Sequence, residues 1–196
     1  MAHSSTLPPT AVVDASASCP PSGMYGPRGW SVQGGIWQIL TPHLELDNWD
    51  LLSAPAARVV GGAPVADYLA FSGVGAKTAR LLLDALPAAA LADRQNYGPS
   101  LGACLRASLA HPELRLAGYG IGPQRGDERV TVTTLVVRDF PCRAVPTHHS
   151  CQCECGALWQ AVAHRYQLDA VHPPDEITQV WVGAGQLEAA WRLWWD

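Results

Sequence analysis

Apolar and polar positions alternate most regularly in Arg129-Val-Thr-Val-Thr-Thr-Leu-Val-Val137 and, more loosely, in Leu114–Gly120. A period of two sends successive side chains to opposite faces, and β-branched residues suit a pleated, half-buried surface. The intervening Ile121–Glu128 carries Gly122, Pro123 and Gly126, all turn formers. The pattern predicts an antiparallel hairpin. Elsewhere the period is helical. Val65, Tyr68 and Leu69 follow Pro64, a favourable first helical residue, and predict a helix from 64 to about Phe71. Ala79, Leu82, Leu83 and Leu86 predict a second, Ala76–Leu86, stopped by Pro87. A third spans Ser100–Ala110, with Leu101, Leu105, Ser108 and Leu109 inward and Cys104 as a small core residue. Leu158, Val162, Tyr166 and Leu168 predict a fourth over 157–167. Ile177–Val182 reads as a strand, and Gly35–Leu40 as a short strand or apolar anchor. Ala190–Trp195 reads as a strand or a helix; as a strand, Trp191, Leu193 and Trp195 share one face.

The predicted class is α+β, with a helical half (64–111) packed on a mostly antiparallel sheet built from 114–120, 129–137, 177–182 and, if extended, 190–195. Residues 1–35 are rich in Ser, Pro, Ala and Gly, which predicts a disordered or loosely attached tail. That leaves 36–196 as one α+β domain. A chain of 196 residues can bury a core without disulfides or metal.

Charge and cysteine usage narrow the function classes. The net charge of −4 argues against a wholly electrostatic nucleic-acid binder, though a local basic patch is compatible with it. No apolar run reaches the roughly 18 residues of a transmembrane helix. The first 21 residues lack the charged and apolar regions of a secretory signal. The six cysteines, three of them at 151, 153 and 155, suggest reduced thiols or metal ligands rather than a disulfide framework. A cytoplasmic location is expected.

Two stretches carry candidate chemistry. The first runs from Leu69 to Leu83 and holds Lys77, the only lysine. It reads as helix end, glycine turn, helix start. Glycines permit positive φ and close backbone approach. The first N–H groups of the following helix lack partners and favour an anion. The pattern over Pro64–Leu83 resembles the helix-hairpin-helix DNA-binding motif, in which Gly-apolar-Gly joins two helices. That resemblance implies contact with backbone phosphate. Gly73 and Gly75 would supply the close approach, Lys77 a charge-assisted contact and Arg80 a further one. Val74 would plug between the helices, and Ala79 would let them pack closely. Ser72 stands where the family often carries proline. A plain helix corner, with glycines serving geometry alone, is the alternative. A nucleotide-hydrolase phosphate loop is excluded, because Ala76 and not glycine precedes Lys77-Thr78.

The second stretch is the Cys/His cluster. Cys142, His149, Cys151, Cys153 and Cys155 are thiolate and imidazole ligands of the kind zinc takes tetrahedrally. The Cys-x-Cys-x-Cys spacing also suits Cu(I) or a redox thiol group. Unliganded cysteines entering a helix are the alternative.

The leading expectation is a non-enzymatic cytoplasmic nucleic-acid-associated protein contacting backbone phosphate through Gly73, Gly75, Lys77 and Arg80, with zinc as a structural metal. One rival is a metal- or thiol-dependent enzyme centred on Cys151, His149 and Glu154. Another is an interaction module in which Trp191–Trp195 meets a protein partner. Core packing of at least two of those rings competes with that last reading, since exposed tryptophans invite aggregation.

Overall fold

A computed structural model describes residues 22–45, 58–140, 154–183 and 187–196. In chain order the elements begin with a small antiparallel pair, β1 (Ser22–Gly23) and β2 (Gly26–Pro27). Two short helices follow, α1 (Trp30–Gln33) and α2 (Ile36–Leu40), then a 3-10 turn, Thr41–His43. A second small pair is β3 (Val59–Val60) and β4 (Ala63–Pro64). Strand β5 (Tyr68–Val74) leads into three helices, α3 (Ala76–Ala85), α4 (Ala88–Ala92) and α5 (Leu101–Ala110). The chain ends with β6 (Arg115–Ile121), β7 (Arg129–Val137), α6 (Cys155–Tyr166), β8 (Glu176–Val182) and β9 (Glu188–Trp194).

The fold is α+β. Its main sheet has the order β5-β6-β7-β9-β8, and every neighbouring pair is antiparallel. The helices lie mostly in the N-terminal half. No described helix is long and apolar enough to cross a membrane. The core joins the inward strand residues Phe71, Leu116, Leu135 and Leu193 to Leu82 of α3, Leu105 of α5 and Val162 of α6. Helix α5 is buried along most of its length, which suits its small residues Gly102, Ala103, Cys104, Ala107 and Ser108. Burial pushes the Cys104 thiol up to about 12, so it is inert packing.

Several expected elements form as the pattern predicts: the β6–β7 hairpin, α3, α5, α6 and β8. The C-terminal stretch is a strand, with Trp191, Leu193 and Trp195 buried on one face. Those two tryptophans are therefore core, and they offer no surface to a partner. Two expectations fail. The helix expected from 64 to Phe71 is instead β4 and β5. Leu69 and Phe71 point inward at a spacing of two, and pairing with β6 decides the choice. The two-helix hairpin is thus not formed: the glycine turn joins a strand to a helix. Conversely, Ile36–Leu40 is helical, burying Ile36, Trp37 and Leu40.

Within the tail expected over residues 1–35, Tyr25, Arg28, Gly29 and Ser31 are bonded to the rest of the domain. The fully buried Glu128 carboxylate accepts from the Gly29 amide at 2.6 Å, the Ser31 amide at 2.9 Å and the Ser31 hydroxyl at 2.6 Å. Ser31 Oγ accepts in turn from Trp37 Nε1 at 2.8 Å. A buried carboxylate must be fully hydrogen-bonded, and this one ties α1 and α2 to the β6–β7 turn. Trp37 lies over Gly120 so closely that a Cβ there would come within 2.6 Å of the ring.

One irregularity shapes the site. Strand β5 loses register with β6 between Phe71 and Val74. Gly73 adopts φ +70° at this bulge, a conformation that favours glycine. Ser72 and Gly73 leave the ladder, and Val74 returns to the core.

Candidate anion-binding cleft

The bulge delivers the chain to α3 through Gly75, the N-cap residue, which is extended and offers no side-chain cap. Thr78 lies in the first helical turn. Its hydroxyl is 2.8 Å from His43 Nε2, while His43 Nδ1 is 3.2 Å from the Ser72 carbonyl oxygen freed by the bulge. His43 is held from both sides. The 3-10 turn carries it, and the next residues join the outer edge of β5 through a Leu44–Phe71 bridge and a Glu45 N–H to Ala70 C=O bond of 2.9 Å.

The tautomer follows from these partners. A carbonyl oxygen can only accept, so Nδ1 carries the proton. In neutral His43, Nε2 is then a bare acceptor, and the Thr78 hydroxyl donates to it. Burial lowers the His43 pKa below its ordinary value. The bond to Ser72 opposes that shift, and the Arg115 guanidinium adds to it.

These groups open on a cleft of about 580 Å³. Its polar lining is Gln38, His43, Lys77, Thr78 and Arg115, together with Gly73 and Gly75; Ile39, Pro42 and Leu81 supply apolar surface. None of its described lining residues is Asp or Glu. Arg115 opens β6 and is braced by main-chain carbonyls, donating from Nη1 to Leu114 O at 2.9 Å and to Pro112 O. A Cβ on Gly75 would meet its guanidinium at 3.3 Å. Glycine is favoured at 73 for conformation, while a Cβ at 75 would ask only that the flexible Arg115 side chain give by a few tenths of an ångström. Lys77 is exposed and has no ion-pair partner among the described residues. Two cations and an uncapped helix start thus face one cleft, an arrangement that favours an anion.

Gly73, Gly75 and Lys77 all line the cleft. Arg80 is exposed on α3 and does not line the cleft. His43, Thr78 and Arg115 complete the site without a sequence signal strong enough to single them out. Cys142, His149, Cys151 and Cys153 lie outside the described residues, as does the greater part of the Cys/His cluster. Cys155 is buried at the start of α6. The described residues contain no group of three His, Cys, Asp or Glu that could hold a metal. No family model matches the chain, no curated protein is similar to it, and no solved structure matches it.

Proposed function

We propose that this protein binds nucleic acid through its backbone phosphates, and that the cleft at the β5–α3 junction is the contact. The observation that carries the reading is a cleft with no carboxylate among its described lining residues, in which Lys77 and Arg115 flank an uncapped helix start. A phosphate oxygen would take the free first-turn amides, and Lys77 and Arg115 would neutralise its charge. Gly73 and Gly75 let the backbone come close, and Arg80 reaches a neighbouring phosphate from the exposed face of α3. Contacts of this type position a nucleic acid without reading its sequence. They suit a chain whose overall charge is negative and whose basic character is local.

Fluorescence anisotropy with a labelled duplex, titrated with salt, tests the reading. Affinity should fall with salt, and Lys77→Ala should weaken binding and flatten the salt slope by about one unit. A salt-dependent affinity untouched by Lys77→Ala and Arg115→Ala would move the contact elsewhere. Zinc on Cys142, His149, Cys151, Cys153 and Cys155 would be a structural companion to this site. Elemental analysis of protein purified under reducing conditions tests it, and substoichiometric metal removes it.

A further inference from the structure

We propose that Thr78 is a nucleophile toward phosphate esters, with His43 as its general base. The inference rests on the phosphate-binding reading of the same cleft and adds chemistry to it. Four atoms carry it as a chain of two hydrogen bonds: the Thr78 hydroxyl oxygen, the two nitrogens of His43 and the Ser72 carbonyl oxygen. A nucleophile, a base within hydrogen-bond reach and a group orienting that base are the parts of an activated hydroxyl. Ser72 serves here as a positioning residue, since its carbonyl leaves Nε2 as the acceptor. The arrangement is not sealed in the core. Both Thr78 and His43 are partly exposed and both line the cleft, so an ester can reach the hydroxyl. Lys77 and Arg115 line the same cleft and would stabilise the charge gathering on the ester's non-bridging oxygens.

The reaction balances within these groups. Thr78 Oγ1 attacks phosphorus as its proton passes to His43 Nε2. The bond from phosphorus to the leaving oxygen breaks, and that oxygen takes the proton from His43. Water then gives a proton to Nε2 and attacks the same phosphorus. The bond to Thr78 Oγ1 breaks, and Oγ1 takes the proton back. The sum is hydrolysis of one phosphate ester bond by one water.

The test uses the full chain with bis(4-nitrophenyl) phosphate in buffer containing EDTA, which silences contaminating metal-dependent esterases. Nitrophenolate release is followed, and acid-quenched samples are mapped by mass spectrometry for a phosphoryl adduct. The wild type should release nitrophenolate and carry the adduct on Thr78. Thr78→Val, nearly isosteric, should lose both, and Thr78→Ser should keep both. His43→Gln should slow release by about 100-fold, in the range of general base catalysis. Circular dichroism melts establish that each variant is folded, and duplex binding is measured on the same samples. Binding without release or adduct in the wild type overturns the nucleophile and leaves the phosphate reading standing. Release that survives Thr78→Val also overturns it. An adduct on Thr78 without duplex binding supports the nucleophile for small esters and overturns the nucleic-acid reading. Neither binding nor adduct overturns both.

Discussion

Helices α3 and α5 are both ten residues long and pack together, yet they begin in opposite ways. The start of α5 is satisfied from within the protein. Ser100 is its N-cap, and its hydroxyl accepts from the Ala103 amide at 3.2 Å. The Asp169 carboxylate then takes the Ser100 amide and hydroxyl, each at 2.7 Å, with Arg94 at 3.6 Å behind it. An acceptor and a negative charge thus meet the free amides and the positive end of the helix dipole. The start of α3 has Gly75 in place of serine, no capping side chain, and Lys77 and Arg115 instead of a carboxylate. At α5 the chain builds an internal cap from Ser100 and Asp169. At the cleft no described side chain caps the helix start, and the phosphate proposal rests on that difference.

The sharpest way to break the comparison is to remove the cations at α3. Lys77→Ala combined with Arg115→Ala should cost about 3 kcal/mol of duplex affinity at low salt, two charge-assisted contacts at the lower end of their range. Anisotropy should show it, while the melting curve stays near that of the wild type. A drop in stability equal to the drop in affinity would make these residues structural. The counterpart at α5 is Asp169→Ala, which should lose about 1–2 kcal/mol of stability in urea denaturation, the scale of a lost cap. Its duplex affinity should not move. Next is a transplant. Gly75→Asp brings the α5 solution to α3 at a position whose extended backbone accepts any residue. Stability should rise by only a few tenths of a kcal/mol, the usual gain over a glycine cap. Duplex binding should nevertheless fall, because the new carboxylate fills the anion site and pairs with Arg115. Unchanged binding would mean that the helix start takes no ligand.

The smallest expected effect is in pH. The His43 pKa is lowered on folding, chiefly by burial, so protonation favours the unfolded chain. Its contribution to stability is full above the ordinary value of about 6.5 and is lost as pH falls below it. Between pH 7.5 and 5.5 the wild type should therefore lose more melting temperature than His43→Gln. The Asp169 pKa is also lowered. Burial would raise it, but the Ser100 hydrogen bonds and Arg94 together outweigh burial. That contribution is full above the ordinary carboxylate range and lost only as pH falls below it, so the two helix starts should weaken in separate pH windows.

Much of the fold was legible in local pattern. The run Arg129–Val137 could bury one face only as a strand, and Leu158, Val162 and Tyr166 could align only on a helix. The spacing of Trp191, Leu193 and Trp195 allowed a buried strand face beside a helical alternative, and Cys104 read as a core position by its neighbours. Short windows were not legible. Val65, Tyr68 and Leu69 fit a helical period, while Leu69 and Phe71 fit a strand period in the same few residues. The chain alone cannot choose between them. The edge of β6, more than forty residues further on, chooses by offering hydrogen bonds along β5. Ile36–Leu40 shows the converse: local propensity leaves it undecided, and Trp37 within it is tied through the Ser31 hydroxyl to the buried Glu128, which also holds the start of α1.

The candidate site divides the same way. Its glycines and its single lysine could be read from the sequence, because positive φ, close approach and a charge after Gly-x-Gly are local properties. What the sequence determined was a turn able to face an anion. Only the tertiary structure decided that this turn follows a strand, that the Gly73 bulge frees the Ser72 carbonyl, and that His43 meets Thr78 across 35 residues of chain. Hydrogen bonds between distant residues depend on how strands register and helices dock, and those are set by the burial of the whole core rather than by any one segment.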